Sequence, residues 1–122
     1  MPTIRQKRVA DRIRTELSDL LLRDAKDPRL RLVTVTHVTI DRELAYADVY
    51  VNAMGVEERQ LEVMAALDRA GGYLRSQIGA RVRLRRTPQL RFHWDPSLEH
   101  AERIAQLLDS LNLGGEVETV PK

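Results

Sequence analysis

From Leu44 to Ala53 the sequence alternates without a break: Ala45, Ala47, Val49, Val51 and Ala53 hold one parity, and Tyr46, Asp48, Tyr50 and Asn52 the other. Side chains along a strand point to opposite faces in turn, so this run reads as half-buried β structure with one dry and one wet face. The small residues on the dry face leave room for a helix to pack closely. The β-rich run before it, about Leu32 to Ile40, is joined to it by the polar turn Asp41-Arg42-Glu43, and the two read as an antiparallel hairpin.

On both sides the period becomes helical. Val9, Ala10, Ile13, Leu17, Leu20 and Leu21 fall within one arc of a helix running to about Asp24, opened by Thr3 and Gln6 at the spacing of a capping box. Asp27-Pro28 then breaks it. From Glu57 a second helical pattern passes through Leu61, Met64 and Leu67 to Ala70-Gly71-Gly72, and resumes through Tyr73, Leu74 and Ile78 to Gly79. Adjacent glycines each cost roughly 1 kcal/mol in a helix relative to Ala, so a kink or a helix-turn-helix is expected there.

A third strand is expected from Arg81 to about Trp94, interrupted at Pro88, which has no N–H for a ladder. Val82, Leu84, Leu90, Phe92 and Trp94 share one parity; Arg81, Arg83, Arg85, Arg91 and His93 share the other, making the open face basic. Asp95-Pro96-Ser97 starts a last helix whose apolar stripe is Leu98, Ala101, Ile104, Ala105, Leu108 and Leu111. Gly114-Gly115 is expected to stop it. A crossover helix between the second and third strands makes them parallel if they are neighbours, giving a mixed sheet. The fold class is therefore α+β: a three-stranded mixed sheet packed against helices, in the order α-β-β-α(kink)α-β-α. Residues 1–113 form one domain, and 114–122 read as a flexible tail.

Composition narrows the function. The 122 residues contain no cysteine, which excludes disulfides, thiol catalysis and thiolate metal sites. No apolar run reaches the roughly 18 residues of a membrane span, and Met1 to Arg5 lacks the apolar core of a signal peptide, so a cytoplasmic protein is expected. With one Trp, one Phe and three Tyr, a row of base-stacking rings is not expected. Charge must carry more of any contact with RNA. The formal net charge is only +2, but its distribution is uneven. Met1–Arg31 holds nine basic and five acidic residues, and Arg69–Arg91 holds seven basic and none acidic; the rest is acidic. Most of the basic residues are Arg, whose planar fork suits phosphate.

The element order resembles a type II KH domain, an RNA-binding fold, but the Gly-x-x-Gly clamp of such domains is replaced by Ala70-Gly71-Gly72. The ribosome-binding factor A family is similar to KH domains in fold and has an Ala-x-Gly kink here, matching Ala70 and Gly72. The resemblance runs from Arg8 to Leu108. It includes Arg8-Val9-Ala10, Lys26-Asp27-Pro28-Arg29-Leu30, Leu44-Ala45-Tyr46-Ala47, Gly72-Tyr73-Leu74-Arg75, the stretch Leu84 to Phe92, and Asp95-Pro96-Ser97. Gly71 at the variable place of the kink and the short tail after Leu113 depart from the family pattern.

The resemblance implies a monomeric, non-enzymatic factor without cofactor or metal. Its partners would be 16S rRNA and free 30S subunits or their precursors, with an assembly GTPase associated. It would assist late maturation, including processing of the 5′ end.

The candidate RNA-binding residues are Arg75 just past the kink, Arg81, Arg83 and Arg85 along the third strand, Arg5, Arg8 and Arg12 on the first helix, and Lys26, Arg29 and Arg31 beyond it. Ala70, Gly71 and Gly72 form the helix-kink motif and serve geometry, allowing close approach of backbone to RNA or of helix to sheet. Against these stand a salt-bridged first helix carrying Asp11, Glu16 and Asp19, and a structural role for Asp27 and Pro28 as a helix stop. A generic KH-like single-strand binder is the alternative function. A metal-dependent nuclease fits poorly, because His37, His93 and His100 lie in different elements and Asp41, Glu43 and Asp48 cluster only around a hairpin.

Overall fold

The computed structural model describes residues 1–53 and 57–115. Helix α1 spans Ile4–Asp19 and continues as a π-helical turn over Leu20–Asp24. The capping box forms as its residues require: the Gln6 N–H donates to Thr3 Oγ1 at 3.1 Å and the Thr3 N–H to Gln6 Oε1 at 2.8 Å. Gln6 has a second role, because its Nε2 donates to the Ile40 carbonyl at 2.9 Å and ties the helix start to the hairpin. After Asp27, whose carboxylate accepts from the Arg29 N–H, a 3-10 turn covers Pro28–Leu32.

Strands β1 (Thr34–Ile40) and β2 (Tyr46–Asn52) pair antiparallel, with a bulge between Val35 and His37, and β2 pairs parallel with β3 (Gln89–Trp94). The sheet is thus mixed, in the order β1-β2-β3, as the crossover argument requires. The hairpin turn closes through Leu44, which takes a φ of 57°, while the Asp41 carboxylate collects the N–H groups of Ala45 and Tyr46. A 3-10 turn at Glu57–Arg59 leads into α2, Gln60–Arg81.

Ile13, Leu17, Leu20 and Leu21 from α1 and its π turn, Val49 and Val51 from β2, and Leu67, Leu74 and Ile78 from α2 are fully or almost fully buried together. Burying a side chain of this size contributes about 1.5–3 kcal/mol each relative to exposure. Both helices therefore cover one face of the sheet.

Four expectations are corrected. Of the kink or helix-turn-helix expected at Ala70-Gly71-Gly72, the helix-turn-helix does not form: α2 runs unbroken from Gln60 to Arg81 with neither glycine in the left-handed region. The third strand starts at Gln89 rather than Arg81: α2 extends to Arg81, and residues 82–88 form an irregular link because pairing can begin only past Pro88, where the Gln89 N–H donates to the Ala45 carbonyl. Asn52, read as a wet position, is fully buried and donates to the Asp95 carbonyl at 2.8 Å.

The last correction concerns helix α3, Ser97–Gly115, which among the described residues ends at the glycine pair expected to stop it but does not pack its apolar stripe on the sheet. Its first turn is fixed by Glu99, which accepts from the Trp94 indole at 2.9 Å, and by Asp95, which accepts from the Ser97 N–H. Beyond that turn its apolar stripe is open, with Ile104, Leu108 and Leu111 at 56%, 56% and 70% exposure. Among the described residues, α3 does not cover the sheet. The tail expected over 114–122 lies, past Gly115, outside the described residues.

Candidate nucleic-acid interface

Two grooves meet at Leu84. One lies between α1 and the 82–88 link and is lined by Arg8, Arg12, Arg81 and Arg83 over Val9 and Val82. The other is lined by Arg5, Arg42, Arg85 and Arg86 beside Glu43 and Leu44. The fold thus joins the two basic blocks of the sequence on one surface. Arg5, Arg8, Arg42, Arg83, Arg85 and Arg86 are all exposed, and none makes an ion pair or side-chain hydrogen bond among the described residues.

The first turn of α1 carries Arg5 and no carboxylate, although the exposed N–H groups at a helix start favour negative charge. A cation there costs about 0.3–1 kcal/mol where an acid would contribute the same. Local stability does not explain that choice. Arg12 is more constrained: its Nη2 donates to the Arg81 carbonyl at 3.2 Å, satisfying the last turn of α2, and its Nε lies 3.4 Å from Glu16.

Arg81 is not available in the same way. Its guanidinium meets Asp24 at 2.9 Å, Asp19 at 3.0 Å and Glu16 at 3.3 Å, and is only 27% exposed. The hydrogen bond to Asp19, against some burial, raises its already high pKa further. It clamps the end of α2 to α1. The salt-bridged reading of the first helix therefore holds for Glu16 and Asp19: Arg12 meets Glu16 at 3.4 Å and Arg23 meets Asp19 at 2.7 Å within the helical segment, and Arg81 joins both from the far end of α2.

Arg75 is also committed. Its Nη2 donates to the Thr87 carbonyl at 2.8 Å and its Nε to the Pro88 carbonyl at 3.2 Å, fixing the link before β3. Arg29 forks onto both oxygens of Asp27, at 3.1 and 2.8 Å. Those bonds, the side-chain ones first, hold the Asp27 carboxyl at about 2. Lys26 and Arg31 are exposed and make no ion pair among the described residues.

Gly71 and Gly72 would meet nothing within 4 Å if each carried a Cβ. Neither positive φ nor internal packing demands a glycine here, and Gly72, the exposed one of the pair, leaves bare helix backbone beside Arg75, Ser76 and Thr87. Gly79 differs, because a Cβ there would lie 2.7 Å from the Thr87 hydroxyl.

The open sheet face is ion-paired rather than basic. Arg91 bonds both oxygens of Asp48, at 2.9 and 3.0 Å, and lies over the Tyr46 ring, while His93 meets Asp48 at 2.8 Å. Burial raises the Asp48 pKa, but these two partners outweigh it and leave it lowered. His37, Tyr50 and His93 stand side by side across the three strands, with centroids 6.0 and 5.0 Å apart.

Arg42 and Arg86 line the groove beside Arg5 and Arg85, although the sequence pattern does not single them out. Arg86 follows Arg85 directly, but strand alternation made it look like a residue of the other face; once the link is irregular, parity excludes nothing. Arg42 sits in a polar hairpin turn, where no local signal separates it from an ordinary solvated charge.

The family model of ribosome-binding factor A matches residues 5–108. The ribosome-binding factor A of Desulforamulus reducens is 42% identical over 108 residues, covering 88% of this chain and 90% of that protein. The crystal structure of ribosome-binding factor A from Thermus thermophilus superposes with a TM-score of 0.63 at 32% identity, over 72% of this chain and 93% of that one. A putative ribosome binding factor A from Thermotoga maritima, solved by NMR, gives 0.61 at 32% identity, over 76% and 89%. A homology model of the Thermus protein, fitted into a cryo-EM map of its complex with 30S, gives 0.58 at 33% identity, over 71% and 91%.

Proposed function

The chain belongs to the ribosome-binding factor A family, and we propose that it binds 16S rRNA on the free, immature small ribosomal subunit through the arginine surface at Leu84. The observation that carries this is the convergence on two adjoining grooves of six exposed arginines from α1, the hairpin turn and the 82–88 link, none of them ion-paired among the described residues. The relative fitted into a 30S complex supports the same partner. Guanidiniums spread over a surface of this kind suit the phosphates of folded rRNA, while sequence readout needs contacts to base edges.

On this reading the chain performs no chemical step. It acts as a monomer in the cytoplasm and assists late maturation, including processing of the 5′ end, by binding one rRNA conformation better than its competitor. A binder shifts such an equilibrium only by its difference in affinity for the two states. Cleavage is left to nucleases, and release to other factors such as an assembly GTPase. The bare backbone at Gly72 supplies a place where an rRNA strand can approach α2 closely.

Fractionation of a lysate on a sucrose gradient tests this directly. The chain is expected with free small subunits and absent from translating ribosomes. Sedimentation at the top of the gradient at low salt contradicts it. Equal binding to many unrelated single strands would instead favour a general KH-like RNA binder.

A further inference from the structure

Around the helix from the Gly72–Arg75–Ser76 face, α2 turns a different set of residues toward the Asp27–Leu30 turn. Ala66, Ala70, Tyr73 and Leu74 recur at helical spacing and, with Ala25 and Leu30, enclose an open cleft of about 390 Å³. Ala25, Leu30, Ala66 and Leu74 form a buried apolar floor, while Tyr73 is 47% exposed at the wall. Lys26 and Arg69 stand at the rim, exposed and without an ion pair among the described residues. The one carboxylate of the lining, Asp27, has both oxygens taken by Arg29, so the rim presents positive charge.

We propose that this cleft receives a single unpaired nucleobase of the bound RNA, its ring against Tyr73 and its flanking phosphates on Lys26 and Arg69. This rests on the chain being an rRNA binder, and it adds a base contact to a surface otherwise made of phosphate contacts. An apolar slot with one exposed aromatic wall and cations at the mouth has the chemistry of base stacking beside a phosphate backbone. The volume is at the small end of ligand sites, suiting one nucleotide. A protein helix docks through anchors spread over two turns, which needs a longer groove. Gly72, exposed and without a side chain, adjoins Tyr73 on one side and the Arg75–Ser76 face on the other, so a strand can lie close to the helix backbone there.

Two measurements on the full chain test the proposal. In the first, affinity for purified immature small subunits is compared for wild type, Tyr73→Ala, Tyr73→Phe and Arg83→Glu. Tyr73→Ala is expected to weaken binding about tenfold with an unchanged salt slope, because stacking on a ring carries no counterion release. Restoring the ring as Phe recovers the affinity. In the second, a single-stranded RNA carrying 4-thiouridine is photocrosslinked and digested with trypsin. The expected adduct is on the peptide Ala70–Arg75, and Tyr73→Ala abolishes it. If Tyr73→Ala binds as wild type while Arg83→Glu does not, the base pocket is refuted and the rRNA reading stands. If neither variant changes binding, the rRNA reading itself fails. A concentration-dependent dimer in sedimentation equilibrium, lost in Tyr73→Ala, would assign the cleft to a second copy and overturn the proposal.

Discussion

Arg81 and Arg83 lie two residues apart in one acid-free basic run, yet they have opposite surroundings. Arg81 ends α2 facing α1 and is held by Glu16, Asp19 and Asp24. Arg83 stands in the irregular link with no ion pair among the described residues, beside Arg8 in the shared groove. One arginine joins two helices of the fold; the other is exposed in a groove, with its guanidinium uncommitted among the described residues. A charged residue surrounded by carboxylates of its own chain has already lost the interaction a phosphate would offer, so the count of basic residues overstates the binding surface. The same division separates Arg29 and Arg75 from Arg5, Arg8 and Arg85.

The largest effect expected from this contrast is on binding. Reversing Arg83 and Arg85 together, to Glu, should weaken association with immature small subunits by about 100-fold at moderate salt, since two phosphate contacts are lost and two repulsions gained. The thermal midpoint should stay within about 1 °C of wild type, surface changes away from packed features being nearly neutral. A midpoint that falls with the affinity would erase the distinction between the two arginines.

Arg81→Glu should do the reverse. It puts a fourth carboxylate among Glu16, Asp19 and Asp24 and lowers the thermal midpoint by about 5 °C. Affinity measured well below the midpoint should change less than for Arg83→Glu. A smaller effect is expected for Arg83→Ala alone: a few-fold loss of affinity and a salt slope shallower by about 1.

The smallest effect lies at the Asp27–Arg29 pair, which stands for the committed class. The folded-state pKa of Asp27 is depressed to about 2 from 3.8. Its contribution to stability is therefore present above pH 3.8 and is lost as the pH falls through about 2. Arg29→Ala should bring the Asp27 titration, followed by NMR, back toward the ordinary carboxylate range while leaving subunit binding nearly unchanged. A drop in binding as large as that of Arg83→Glu would return Arg29 to the interface.

Much of the fold was legible because its signals are local. The capping box of Thr3 and Gln6, the alternation from Tyr46 to Val51 and the turn at Asp27-Pro28 all lie within a few residues, and each formed where expected. The partition of the arginines was not legible, because it depends on distant partners. Arg81 finds Asp19 across 62 positions, and Arg75 finds two backbone carbonyls of a link that alternation made look like a strand. Helices α1 and α3 make the same point for packing. Both have an apolar stripe, but that of α1 is buried against the sheet, whereas Ile104, Leu108 and Leu111 of α3 stay exposed. Periodicity gives a helix an apolar face without saying what meets it. The glycines behaved likewise: Gly71-Gly72 suggested a break, but packing on both sides through Leu67, Leu74 and Ile78 carries the helix across them.

The central claim is that the arginines the fold leaves uncommitted among the described residues are the ones that meet rRNA phosphate. The salt dependence of binding to purified immature small subunits tests it most directly. With about six phosphates neutralised, the slope of log affinity against log salt should be of order −4 to −5, shallower by about 2 in the Arg83→Ala, Arg85→Ala double variant and unchanged in Arg29→Ala. A flat dependence in the wild type, or a double variant with the wild-type slope, would contradict it.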